Sequence, residues 1–203
     1  MRKSRTYHHG NLKPALLAAS LELMQKAGPG AFTLREVARR AGVSHNAPYR
    51  HFRDKEELLA ALAAEGFDRL TAAMTKAAQS ATGAVERMRR GGRGYVEFAL
   101  RYPQHFTVMF EIPLQMDSYP QTQAAAGRAF ATLVHYVEAC QAEGILPPGD
   151  AKPFALLAWS MVHGVAKLAI NGRLPLSGAA DLRRFTDTAT AALWRGLAHA
   201  FAP

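Results

Sequence analysis

The sequence is poor in the groups that covalent chemistry needs. One cysteine, Cys140, stands in 203 residues, so no intrachain disulfide and no cysteine-based zinc site can form. Cys140 reads as a small apolar side chain of a helix. A chain so short of cysteine suits a reducing cytoplasm. No Ser/His/Asp or Cys/His set has mechanistic spacing, no glycine-rich phosphate loop occurs, and His8-His9 has no further ligands nearby. An enzyme is therefore not expected, nor a catalytic residue, a metal site or a cofactor. No stretch of about 18 uncharged apolar residues is present, so no membrane span is expected. The basic start, Met1-Arg2-Lys3-Ser4-Arg5, is not followed by an apolar segment before Pro14, which argues against a secretory signal.

Acidic residues are scarce at one end only. Residues 1–55 hold eleven Lys/Arg but just Glu22, Glu36 and Asp54, a charge of +8 out of +9 for the chain. The rest is nearly neutral. A basic segment beside a neutral one is the footprint of a polyanion binder with a separate second function. A nonspecific architectural protein would use the charge but leave the large apolar remainder unexplained.

What is abundant is helical pattern. Apolar residues make up 49% of the chain, enough for a proper core. Leu16, Leu17, Leu21 and Met24 recur at helical spacing between an Asn11 cap and the break at Gly28-Pro29-Gly30. Thr33-Leu34-Arg35-Glu36 is a capping box opening a helix to about Ala41. Asp54 with Glu57 caps a long helix to about residue 78. Further helices are expected over 84–101 (loosened at Gly91, Gly92 and Gly94), 103–110, 121–143, 153–170 and 179–202, with a loop at 112–120. No convincing strand is found. The expected fold is all-α, about nine helices: a DNA-binding domain over 1–55, a linking helix 54–78, and a second domain over 79–203.

Gly42-Val43-Ser44 joins two short helices in the manner of a helix-turn-helix spanning 33–52. Ser44 would cap the second, recognition helix, whose first residues meet base edges in the major groove. His45, Asn46, Ala47 and Arg50 are the base-contact candidates: Asn pairs with adenine, Arg with guanine, and an Ala methyl touches thymine. Thr33, Tyr49, His51 and Lys55 are candidates for phosphate. Arg2, Lys3 and Arg5 would form an arm. Pro48 cannot donate a helix bond and biases Ala47 away from helical angles.

In the second domain Phe98, Tyr102, Phe106, Met109, Phe110, Tyr136 and Trp159, with Met116 and Tyr119, are large enough to line a pocket or to fill a core. His163 shares a helix face with Trp159 and reads either as a pocket donor or as a hydrogen-bonded core histidine. Gly164 would allow a close helix crossing. Leu182, Phe185, Ala189, Ala192 or Leu193, Gly196 and Ala200 form a stripe suited to a dimer interface built from 153–170 and 179–202.

Residues Phe32 to Ser44, Tyr49-Arg50-His51-Phe52 and Asp54 to Leu59 resemble the TetR (tetracycline-repressor-like) family. Asn46-Ala47-Pro48 stands where that family usually shows a small residue followed by Thr-Leu. Tyr7-His8-His9-Gly10 and Trp159-x-x-x-His163-Gly164 are similar to a subgroup of it. The resemblance implies a two-domain, Ω-shaped homodimer on a palindromic or near-palindromic double-stranded operator. It also implies a small apolar or amphipathic effector in the second domain, usually repression of nearby genes, and no role at a membrane.

Overall fold

A computed structural model of the chain describes residues 12–28 and 30–200, the side chains of the last two excepted. The expected arm of Arg2, Lys3 and Arg5, the Tyr7–Gly10 motif and the Asn11 cap lie outside the described residues. Eight α-helices and two 3-10 turns, with no strand, make up the described part. They are α1 (Leu12–Ala27), α2 (Leu34–Ala41), a 3-10 turn at Pro48–Arg50, α3 (Lys55–Ala78), α4 (Ala84–Arg101) and α5 (Pro103–Phe110). A second 3-10 turn at Met116–Ser118 precedes α6 (Pro120–Ala142), α7 (Lys152–Ile170) and α8 (Ala179–Ala200).

The helix starts follow from local chemistry. The Thr33 hydroxyl accepts from the Glu36 amide at 3.3 Å while the Glu36 carboxylate accepts from the Thr33 amide at 2.8 Å. At α3 the Asp54 carboxylate accepts from the Glu57 amide at 2.8 Å and Glu57 accepts from the Arg53 amide at 2.7 Å. The first pair is a reciprocal capping box; at α3 the Glu57 carboxylate reaches one residue further back, to the amide before the cap.

α3 is the axis of the molecule. Its buried residues, from Leu58 and Leu62 to Phe67, Leu70 and Met74, point to more than one side, and it packs on α1, α4, α5 and α6. Small residues bring its neighbours close. A Cβ on Gly94 would stand 2.7 Å from the Ala73 carbonyl oxygen, so the α4 backbone lies directly on α3. Gly91 receives the Tyr136 ring in the same way. The glycines expected to loosen α4 are contact points, and the helix runs through them unbroken.

α8 is held to α4 by Asp187, which pairs with Arg89 at 2.7 Å and Arg93 at 2.5 Å. α7 buries Ala155, Ala158, Val162, Val165 and Ala166. Among the described residues it is the one helix long and apolar enough to cross a membrane by length and composition. Its other side leaves Leu156, Leu157 and Leu168 close to half exposed, and Phe185 is exposed on α8. A Cβ on Gly164 or on Gly196 would meet nothing within 4 Å among the described residues.

Candidate nucleic-acid interface and internal cavity

The DNA-reading segment departs from the expected helix. Gly42 leaves α2 in the left-handed region at φ 70°, and the Val43 amide returns to the Ala38 carbonyl at 3.0 Å. From there no α-helix forms before α3. Ala47 N–H donates to the Ser44 carbonyl, Arg50 N–H to Ala47 and His51 N–H to Pro48, all from i to i−3. The expected Ser44 cap is not used: the residue heading this turn is Ala47, whose methyl side chain cannot accept from its amides. Ala47 is helical (φ −62°, ψ −40°), contrary to the bias expected from the following proline. Pro48 occupies the first position of the 3-10 turn, where its missing N–H costs nothing, and its ring is buried. The expected recognition helix is thus a turn at residues 44–47 followed by the 3-10 turn, after which the Phe52 N–H returns to the Pro48 carbonyl at 3.0 Å; a 3-10 turn rises about 2.0 Å per residue where an α-helix rises about 1.5 Å.

His45, Asn46, Tyr49, Arg50 and His51 are all exposed on this segment, with Ala47 half-buried between them. Pro48 and Phe52 anchor it from below. In a 3-10 turn residues three apart eclipse, which sets Ala47, at the head of the turn, in line with Arg50. Thr33 lies exposed at the start of α2, and its hydroxyl is engaged with Glu36. Bonding to Thr33 holds the Glu36 carboxyl below its ordinary pKa. Lys55 is not a free cation: its Nζ donates to the Gly30 carbonyl at 2.9 Å and stands 4.5 Å from the Phe32 ring centre. It staples the α1–α2 connection onto α3.

A cavity of about 500 Å³ lies in the second part of the chain, between α3, α4, α5, α6 and α7. Phe67, Leu70 and Met74 of α3, Met109 and Phe110 of α5, Met116, Trp159 and the α6 residues Gln123, Ala126, Phe130 and Leu133 form most of its wall. Of the residues singled out in the sequence, Met109, Phe110, Met116 and Trp159 face it. Phe98 and Phe106 are buried core instead. Tyr102 lies against Phe98 under the Arg69 guanidinium, and Tyr136 covers Gly91. The α3 contribution was missed. Its signal was an apolar pattern too wide for one face, which means burial on more than one side.

His163 takes the core role. Its ring stacks on Phe106 with centroids 5.1 Å apart, and its Nδ1 stands 2.9 Å from the Tyr95 hydroxyl. That hydroxyl accepts from Trp159 Nε1 at 3.2 Å. The Tyr95 hydroxyl and His163 Nδ1 share one hydrogen bond, and the chain Trp159–Tyr95–His163 is satisfied internally. Burial pushes the Tyr95 pKa well above the usual phenol range. Burial, with Lys167 nearby, lowers that of His163 and favours the neutral ring.

An exposed helix-turn-helix segment on a basic unit, joined by one long helix to a helical part with a partly open apolar cavity, is the architecture of a DNA reader with a second, ligand-sized site. Comparison with known proteins agrees. Residues 16–62 match the bacterial regulatory proteins of the tetR family, and residues 88–193 match the tetracyclin repressor-like C-terminal domain. A solved protein of unknown function from Rhodococcus sp. RHA1 is 38% identical, covers 96% of this chain and 100% of its own, and superposes with a TM-score of 0.82. The TetR family regulator PfmR from Thermus thermophilus shares the fold, with a TM-score of 0.70 at 21% identity over 90% of this chain and 98% of its own. The transcriptional activator FasR of Mycolicibacterium smegmatis is 31% identical over 125 residues, 62% of this chain. The match spans about half, 53%, of the length of FasR. The chain belongs to the TetR family of transcription regulators: it is a DNA-binding regulator and not an enzyme.

Proposed function

We propose that this chain is a cytoplasmic, homodimeric regulator whose hold on its operator is set by a small, neutral, largely apolar effector in the 500 Å³ cavity. One observation carries the reading: α3 walls the cavity and also begins immediately after the DNA-reading turns. A ligand that shifts α3 moves the reading unit. The volume suits a drug-sized molecule, and no charged side chain appears in the wall, so an ionic ligand would lose hydration without compensation.

His45, Asn46, Ala47 and Arg50 would meet bases, and Thr33, Tyr49, His51 and Lys55 phosphates. Lys55 would share its ammonium between the DNA and Gly30. The pattern Trp159-x-x-x-His163-Gly164 supports our reading of the chain as one of a narrower subgroup of the family. The unpartnered stripe of Leu157, Gly164 and Leu168 on α7 with Phe185, Ala189, Ala192 and Gly196 on α8 would be covered by a second copy. Two reading units would then meet half-sites roughly 34 Å apart, or a multiple of that spacing. Repression released by the effector is the mode we favour, being typical of the family, although the relative FasR is named an activator.

The test is to select an operator from random duplexes with the purified protein. Its affinity is then measured against a scrambled duplex at physiological salt, with and without neutral apolar compounds that raise the melting temperature. A large specificity ratio that falls on ligand binding is expected. Stabilising ligands that leave operator affinity untouched would overturn the effector reading.

A further inference from the structure

The segment between α5 and α6 has one side on each functional part. Met116 belongs to the wall of the apolar cavity. One residue earlier, the Gln115 amide donates to Glu56 Oε1 at 3.3 Å. Glu56 lies in the first turn of α3, just behind the DNA-reading turns. On the far side, Ser118 and Tyr119 border a second, polar crevice of about 430 Å³ that also touches Lys13, His51 and Arg53 of the reading unit. The segment is a partition between two spaces. Its end is pinned to α3, where the Thr122 hydroxyl donates to the Ala60 carbonyl at 2.9 Å.

Gln123 joins this partition to the cavity. It is part of the cavity wall, and its Nε2 donates to Asp117 Oδ1 at 3.4 Å. That bond is longer than the usual range of about 2.7–3.2 Å, so it yields readily to a better acceptor. The other polar side chains at the wall are already engaged: Trp159 donates to the Tyr95 hydroxyl, and that hydroxyl is paired with His163 Nδ1. An oxygen on a ligand in the cavity therefore meets the Gln123 amide as its available donor. The crevice behind gives the segment room to move once Asp117 is released.

Taking the cavity as the effector site, we infer that Gln123 is its specificity-determining residue. It selects an apolar ligand carrying one hydrogen-bond acceptor. On binding it exchanges Asp117 for that acceptor, which frees residues 115–119 from Glu56 and loosens the seating of the reading unit. Gln115, Asp117 and Glu56 are positioning residues, and none of them needs to touch the ligand.

The experiment compares the full-length protein with Asp117→Ala, and uses the neutral fluorescent ketone prodan as probe. Without any ligand, Asp117→Ala should weaken operator binding about tenfold and speed hydrogen exchange at the Gln115 amide. Loss of a negative charge alone would strengthen DNA binding, so the sign is diagnostic. With prodan bound, as seen by its emission shift, the unsubstituted protein should lose a similar factor. Asp117→Ala should lose less than about twofold more. Gln123→Leu should behave as Asp117→Ala does and also bind prodan more weakly. If ligand-free Asp117→Ala keeps its operator affinity and its Gln115 protection, the partition carries nothing and the inference is overturned. If those two change but prodan leaves the operator affinity of the unsubstituted protein intact, the partition stands and the effector role of the cavity falls.

Discussion

Asn46 and Pro48 show how much a single residue decides at the reading face. Pro48 supplies no amide, so an α-helix through it would leave its own i−4 bond unmade. The chain instead uses i−3 bonds on both sides of it and buries the ring. Asn46 is left exposed. Replacing Asn46 by Ala is expected to cost ~1–3 kcal/mol on the selected operator and to relax preference at one base pair. Binding curves on single-base operator variants check this. A loss equal on all duplexes would assign Asn46 to the phosphate backbone instead.

Among the elements, α3 is the member on which the others converge, and the contacts along it differ in kind. Gly66 admits Met109, since a Cβ there would stand 2.5 Å from its Sδ, and Gly94 of α4 lies on the Ala73 carbonyl. Between these apolar contacts Glu65 pairs with Arg69 at 2.6 Å and faces the buried His105, whose Nε2 is 3.5 Å away. His105 and then Arg69 pull the Glu65 carboxyl down from 4.5 to about 2. A carboxylate depressed in the folded state stabilises it above the unfolded pKa. Its contribution is lost as pH falls from about 4.5 toward 2. Urea unfolding of Glu65→Gln should therefore show a deficit against the unsubstituted protein at neutral pH. That deficit should shrink steadily below about pH 4.5 and be lost fully only below about pH 2. A deficit independent of pH would mean that packing, not charge, is what the substitution disturbs.

At the scale of the whole molecule, the exposed leucines of α7 call for an explanation. A helix this apolar that turns Leu156, Leu157 and Leu168 to the outside is unfinished as a single chain. A second copy packed on the same face would complete it. Leu157→Glu should then leave helix content and prodan binding intact while sedimentation gives the mass of one chain. Operator affinity should fall about 100-fold or more, because the two half-sites no longer bind as one unit. A variant that still sediments as a dimer would place the interface elsewhere.

Much of this was legible in the sequence. The capping pairs Thr33/Glu36 and Asp54/Glu57 marked where α2 and α3 begin, because a helix start is a local matter of four amides and the side chains beside them. The charge split and Gly42 marked the reading unit for equally local reasons. Three things required the tertiary structure. Whether Phe106 or Met109 faces the cavity depends on how α5 is rotated against α3, and both are large, apolar and on the same short helix. The wall given by Phe67, Leu70 and Met74 depends on what packs around α3. The links from Gln115 to Glu56 and from Thr122 to Ala60 join residues about 60 positions apart, which no periodicity records. Residue chemistry by itself determined that this chain is helical, reads DNA and holds a large apolar interior. Packing alone decided where that interior stays open, and which loop stands between it and the helix-turn-helix unit.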